Sequence, residues 1–272
     1  MSENEKPNSR NIPLPIQRSV RQRCGFGCVI CGLPLYEYEH MEEWAKVQRH
    51  VAEEITLLCD QHHTEKTKGL LPKDAVRDAN KSPFNLQPNN RKPYHLHFSG
   101  EAAEIWLATT NFRIQKTDTD NVMHAIVIDG EPILGFEIQD NTLLLNLKAY
   151  DEFNELSVLI EKNQLIYSKL PWDIQFVGTT LTIRKAHREI LLEINFQPPS
   201  KISITNGRLL RNGVEVLINR QEVSITNYQT TISDCEFTNF PASISIGPRN
   251  DWPSAISIPN VPRYKQNCGK ES

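Results

Sequence analysis

Two short clamps of metal-ligand residues constrain this 272-residue chain more than any other feature. Cys28 and Cys31 form one clamp in CVIC, and Cys59 and His62 repeat the spacing in CDQH after a long gap. Three thiols and an imidazole in two such clamps are the donor set of a closed, tetrahedral structural zinc site. The segment around them is short and hydrophilic, so it cannot fold on its own core, and bound Zn2+ is expected to be a condition of its folding. Inside the loop that the zinc would close lies an acid–histidine pair, Glu39-His40, and His63 directly follows the last clamp residue.

Composition sets wider bounds. A membrane-spanning helix needs about 18 or more consecutive apolar residues, and the chain has no such run. The opening MSENEKPNSRNIPLP lacks the apolar stretch of a secretory signal. Six cysteines, most of them near the metal clamps, fit a reducing cytoplasm better than a disulfide scaffold. A soluble cytoplasmic protein with no membrane segment is therefore expected. The net charge of −3 divides unevenly, with a slightly basic first third and an acidic remainder. That balance permits a polyanionic partner without requiring one.

The pattern predicts an α+β protein of two domains. Residues 1–15 read as a disordered polar tail. From Ile16 to Arg23 a short helix would display Arg18, Arg21 and Arg23. YEYEHM reads as a strand, Glu42 to Glu53 as a hairpin connection, and EITLLC as the returning strand. DQHHTEKTKG opens a helix that Gly69 can end in a left-handed cap, and KDAVRDANK after Pro72 is a second amphipathic helix. The Pro/Asn-rich SPFNLQPNNRKPYH marks a linker, with the boundary over 83–100.

CVIC, YEHM, HVAEEITLLC and CDQHHTEK together resemble the HNH endonuclease family, in its members with an auxiliary zinc. The resemblance covers residues 16–95 and implies a ββα-metal module that hydrolyses phosphodiester bonds in DNA, with RNA as a variant. It implies His40 as general base. It implies Glu39 and His63 as ligands of a catalytic Mg2+ or Mn2+, and Cys28, Cys31, Cys59 and His62 as zinc ligands. The order of the family's second clamp favours His62 on zinc, although the adjacent His63 leaves the reverse assignment open. Two positions depart from the family pattern: His62 stands where cysteine is usual, and Glu54 stands where the family has Asn. Glu54 would orient His40 through its ring N–H, or add charge to the metal site. His50 is a candidate contact to the scissile phosphate. Arg21, Arg23, Lys66 and Lys68 are candidate phosphate contacts along the nucleic acid.

Residues 96–262 change character. NVMHAIVIDG, PILGFEIQD, TLLLNLKAY, ELSVLIEKN, DIQFVG, TLTIRKA, EILLEINF and KISITN alternate apolar and polar residues. Asp129-Gly130, Asp140-Asn141 and Asn206-Gly207 separate them as turns. A sandwich, a barrel or a β-solenoid would satisfy this pattern. His95 and His97 alternate on one predicted strand, and Cys268 is a free thiol in a loose tail over 263–272. No second catalytic motif is present here, so this domain is expected to gate or oligomerise the nuclease, as in a bacterial or phage-associated defence effector. Two other readings remain: a non-catalytic zinc module that binds nucleic acid, and a β-rich interaction protein with a zinc docking unit.

Overall fold

The computed structural model describes residues 11–87, 96–116, 121–166, 172–226 and 230–264. The chain separates into two compact units, Met1–Lys92 and Pro93–Ser272. It is mostly β-structure, and among the described residues no helix is long and apolar enough to cross a membrane.

In the first unit, helix α1 spans Leu14–Arg23. Ile16, Val20 and the C-cap residue Cys24 recur every fourth residue along one side of the helix, and with Ile12 just ahead of it they pack against a small core of Val29, Ile55, Leu57, Leu58 and Val76. The tail expected over 1–15 is therefore partly structured, because Ile12 packs and the helix begins at Leu14; residues 1–10 lie outside the described residues. Strands β1 (Glu37–His40) and β2 (Ile55–Leu58) pair antiparallel, with Glu39 opposite Thr56 and His40 opposite Ile55. Their connection contains the one-turn helix α2 (Trp44–Val47) and a 3-10 turn, Ala52–Glu54.

Helix α3 (Asp60–Thr67) follows β2 directly, and α4 spans Lys73–Lys81. Gly69 takes a left-handed φ of 74°. Its N–H bonds Lys66 O at 3.1 Å while the Leu70 N–H bonds Glu65 O at 2.8 Å, the two bonds of a Schellman cap. The linker expected over 83–100 does not include its first residues, and residues 88–95 lie outside the described residues. Phe84–Leu86 form a 3-10 turn that belongs to the first unit. Asn85 Nδ2 donates to Gly25 O at 3.0 Å and to Gly32 O at 3.1 Å, and Phe84 N donates to Val29 O.

That clasp makes Gly32 intolerant of a side chain. Its φ is 76°, and an added Cβ would fall 2.2 Å from Asn85 Oδ1 and 2.7 Å from the Phe84 ring. Gly32→Ala is expected to cost at least about 2 kcal/mol, from left-handed strain plus overlap. A lowered chelator concentration for metal release, with a lowered melting temperature, would show it; unchanged values would mean the clasp is idle.

Among the described residues, the second unit contains an eight-stranded and a ten-stranded sheet. Strands Asn121–Ile128, Glu131–Gln139, Thr142–Tyr150, Leu156–Glu161 and Gln164–Ile166 run as one antiparallel meander. A second meander runs from Asp173–Val177 through Lys201–Arg211 to Thr230–Ile232. The sheets touch where Thr142–Tyr150 meets Lys201–Arg211, and Phe112, Phe136, Leu134 and Leu147 are among the fully buried side chains. Within the two meanders successive strands are antiparallel, so those stretches are not a solenoid, whose coils stack in parallel. Parallel pairing occurs where later strands join earlier ones and between the successive strands Ala242–Ile246 and Ser254–Ile258. Glu236–Thr238 lies beside Thr110–Gln115, and Ala242–Ile246 lies between Asn121–Ile128 and Ser254–Ile258.

Asp129-Gly130 and Asp140-Asn141 are turns, each with two positive φ angles. Asn206-Gly207 is not. It lies inside the strand Lys201–Arg211, beside a register shift, and Gly207 leaves room for Leu192, whose Cδ1 would lie 2.9 Å from an added Cβ. The tail expected from 263 is pinned at its start: Arg263 bonds both oxygens of Asp129, and Tyr264 N donates to Gly213 O. His97 is exposed on its short strand, while His95 and Cys268 lie outside the described residues.

One acid in this unit ties separate strands together. Lys185 and Arg208 both bond Glu152. Lys185 first, with Glu152's own backbone N–H and Arg208, outweighs burial and holds the carboxyl down at about 2. A depressed carboxyl contributes stability above its unfolded value, near 4.5, and that contribution disappears as pH falls through the folded value. Glu152→Gln is therefore expected to melt below wild type at neutral pH, with the gap closing between about pH 5 and about pH 2 and shrinking in high salt. A gap independent of pH would show that the pair contributes nothing.

Candidate metal centre and adjoining acid–histidine site

Cys28 and Cys31 sit on a tight turn whose Gly32 N–H bonds Cys28 O at 2.7 Å. Val29 N donates to Leu57 O, so this turn is stitched to β2 immediately before Cys59. Cys59 caps α3, and His62 lies in the first turn of that helix. One potential ligand atom from each of Cys28, Cys31, Cys59 and His62 falls within 4.8 Å of all the others. Cys31 Sγ is 3.8 Å from Cys59 Sγ, and His62 Nδ1 is 3.4 Å from Cys28 Sγ and 3.2 Å from Cys59 Sγ. Zn–S bonds of about 2.3 Å and Zn–N bonds of about 2.0 Å at tetrahedral angles imply edges of about 3.8 and 3.5 Å. The quartet therefore fits a metal ion such as zinc.

Its protonation chemistry fits as well. The Cys31 side chain, with backbone N–H groups of Cys59, Cys31 and Ile30, outweighs burial and brings the Cys28 thiol down to about 4. The same contact, with burial, pushes the Cys31 thiol up. Two thiols thus compete for a proton that a thiophilic cation would displace. Cys24, though buried nearby, is outside the quartet; its Sγ lies 4.0 Å from Thr56 Oγ1, and burial pushes its thiol up.

Consecutive helical residues diverge by about 100°, so His62 and His63 face different ways. His62 turns back to the cysteines, and His63 faces β1. On β1, Glu37 and Glu39 share a face and bracket the His63 ring. Glu39 Oε2 is 2.9 Å from Nε2, and Glu37 Oε2 is 3.2 Å from Nδ1. Lys66, one turn along α3 from His63, bonds the other Glu39 oxygen and lies 3.4 Å from His40 O.

His40 ends β1 in an aromatic nest. Its Nε2 is 3.3 Å from His50 Nδ1. Trp44 stacks on His50 at 4.7 Å between ring centres and lies 5.0 Å from the His40 ring. Burial first, then the neighbouring His50, lowers the His40 pKa below the usual imidazole value. A neutral, proton-accepting ring is favoured.

Several expected roles need correction. Arg21 and Arg23 turn away from solvent. Arg21 is 2% exposed and donates to the Tyr38 hydroxyl. Arg23 joins α1 to Asn80 of α4 and to the carbonyls of Ala52 and Ile55. Both secure the frame, because a guanidinium is the side chain best able to satisfy several internal acceptors at once. Lys66 is mostly buried against Glu39 instead of standing free for phosphate. Glu54 directs its carboxylate to Arg49, which holds its pKa below the usual carboxylate range. Its backbone supports the site instead, since Met41 N donates to Glu54 O at 2.9 Å just after His40. Lys68 remains exposed at the end of α3. Sequence reasoning missed Glu37, Trp44 and Asn85. The alternation Glu37-Tyr38-Glu39 signalled the first, whereas the second and third depend on contacts across loops.

No protein-family model, curated protein or solved structure matches this chain.

Proposed function

We propose that this chain is a metal-dependent endonuclease of the HNH type that hydrolyses phosphodiester bonds in DNA. The observation that carries the reading is the 2.9 Å approach of Glu39 to His63, with His40 next in sequence, beside a Cys/His quartet of zinc dimensions. Two ligands bound at right angles to a cation through bonds of about 2.1 Å stand about 3.0 Å apart. The Glu39–His63 edge therefore suits Mg2+ or Mn2+, with other coordination positions left for water and phosphate oxygens. When bound, such a cation draws charge from a non-bridging oxygen and supports the departing 3′-oxygen.

His40 accepts the proton of the attacking water, a role suited to a ring kept neutral by burial and by His50. Trp44 and His50 hold that ring in place. Lys66 occupies one oxygen of Glu39 and so presents the other beside His63. Exposed Lys68 is the candidate phosphate contact that remains available among the four first expected. None of these residues reads base edges, so cleavage of low sequence specificity follows, and the chemistry extends to RNA. The β-rich unit serves in this reading as a regulatory or self-association module.

A supercoiled-plasmid assay with Mg2+, Mn2+ or EDTA, run on protein of measured zinc content, tests the proposal. Nicking or linearisation that needs the added cation supports it. No cleavage by folded, zinc-loaded protein removes it, and salt-dependent DNA binding would then leave a nucleic-acid-binding zinc module.

A further inference from the structure

The two carboxylates around His63 set a problem in proton counting. A neutral imidazole carries one ring N–H, yet each nitrogen of His63 faces a carboxylate oxygen, Nδ1 toward Glu37 at 3.2 Å and Nε2 toward Glu39 at 2.9 Å. If the ring carries one proton, one of these approaches sets lone pair against lone pair, whereas a doubly protonated ring would donate to both carboxylates. A cation on the Nε2–Glu39 edge resolves that conflict only when the ring proton is on Nδ1. We infer that Glu37 is a positioning residue for the divalent-cation site: it accepts the Nδ1–H of His63, fixes that tautomer, and leaves the Nε2 lone pair beside Glu39 for the metal. The inference rests on the cation site of the proposed function and extends it to a residue outside the expected ligand set.

The surrounding geometry favours this division of labour. Glu37 and Glu39 leave β1 on the same face, two residues apart, so one strand supplies both the ligand and the group that orients the other ligand. Lys66 bonds Glu39, which keeps that carboxylate from swinging around to Nδ1. Glu37 is 58% exposed on its side chain and contributes nothing to the buried core. Replacing it should therefore leave the fold intact while freeing the His63 ring to take its proton on Nε2 and donate to Glu39. Outer carboxylates of this kind affect metal affinity by about 10- to 100-fold.

The experiment uses full-length zinc-loaded protein in two steps. Long-range 1H–15N correlation spectra of the histidine rings, without added divalent cation, report the His63 tautomer. Electron paramagnetic resonance then follows Mn2+ binding in wild type, Glu37→Ala, Glu37→Asp and His63→Ala. The expected result is an Nδ1–H tautomer in wild type that is lost in Glu37→Ala. Mn2+ affinity should fall at least about tenfold in Glu37→Ala and recover in part in Glu37→Asp. Zinc content and circular dichroism should stay unchanged. An Nε2–H tautomer or a doubly protonated ring in wild type, or Glu37→Ala with wild-type tautomer and affinity, overturns the inference. If wild type and His63→Ala bind Mn2+ alike, the cation site of the proposed function fails and the positioning role fails with it, whichever tautomer the spectra show.

Discussion

Stripping the metal from this protein with a strong chelator is expected to unfold residues 11–87 and leave the strands of the second unit protected. The reason is the size of the first unit's core. Its buried apolar set is small, and among the described residues three of its nine buried members, Cys24, Cys28 and Cys59, are cysteines. A structural zinc in a small module supplies roughly 10–16 kcal/mol at neutral pH, as much as the entire stability of an ordinary domain, about 5–15 kcal/mol. Loss of the ion also leaves thiols crowded at 3.8 Å with no charge partner. Cys59→Ala should have the same effect, because Cys59 is a member of the quartet. Cys24→Ala is the control: the thiol is buried but lies outside the quartet, so metal content should not change. Hydrogen exchange at Ile55–Leu58 is the direct readout. Protection that persists in metal-free protein would show that the core suffices without the ion.

The second large effect is on activity. His40→Ala is expected to lower plasmid cleavage by about 10²–10⁴-fold, equivalent to about 3–5 kcal/mol of transition-state stabilisation. Zinc content and Mn2+ affinity should remain near wild type, because His40 bonds His50 and packs on Trp44 but is neither a member of the Cys/His quartet nor one of the two proposed cation ligands. His50→Ala should have a smaller effect, since it removes a neighbour of the proposed base and not that residue itself. If His40→Ala cleaves within about threefold of wild type, the base lies elsewhere and the Glu39–His63 edge acts without it.

The chain's local patterns carried much of this molecule. The clamp spacing selected Cys28, Cys31, Cys59 and His62, because a tetrahedral ion needs donors on short, tight turns. Gly69 marked the end of α3, and Asp129-Gly130 and Asp140-Asn141 marked hairpins, because these residues tolerate a positive φ. Alternating apolar residues located the main strands, because burial on one face has a period of two. Other features followed from contacts between distant segments. Arg21 and Arg23 look like surface cations in one dimension and become internal braces once Tyr38, Asn80 and Ile55 surround them. Glu54 was drawn to Arg49, and Lys66 to Glu39, by charge pairings that no local pattern encodes. Asn206-Gly207 has the composition of a turn but continues a strand, because a neighbouring leucine needs the space where a side chain would stand. Ligand identity and strand periodicity are properties of neighbouring residues and are legible in sequence. The facing of His62 and His63, the order of the sheets and the partner of each charge depend on which remote surfaces meet, and only the tertiary structure decides that.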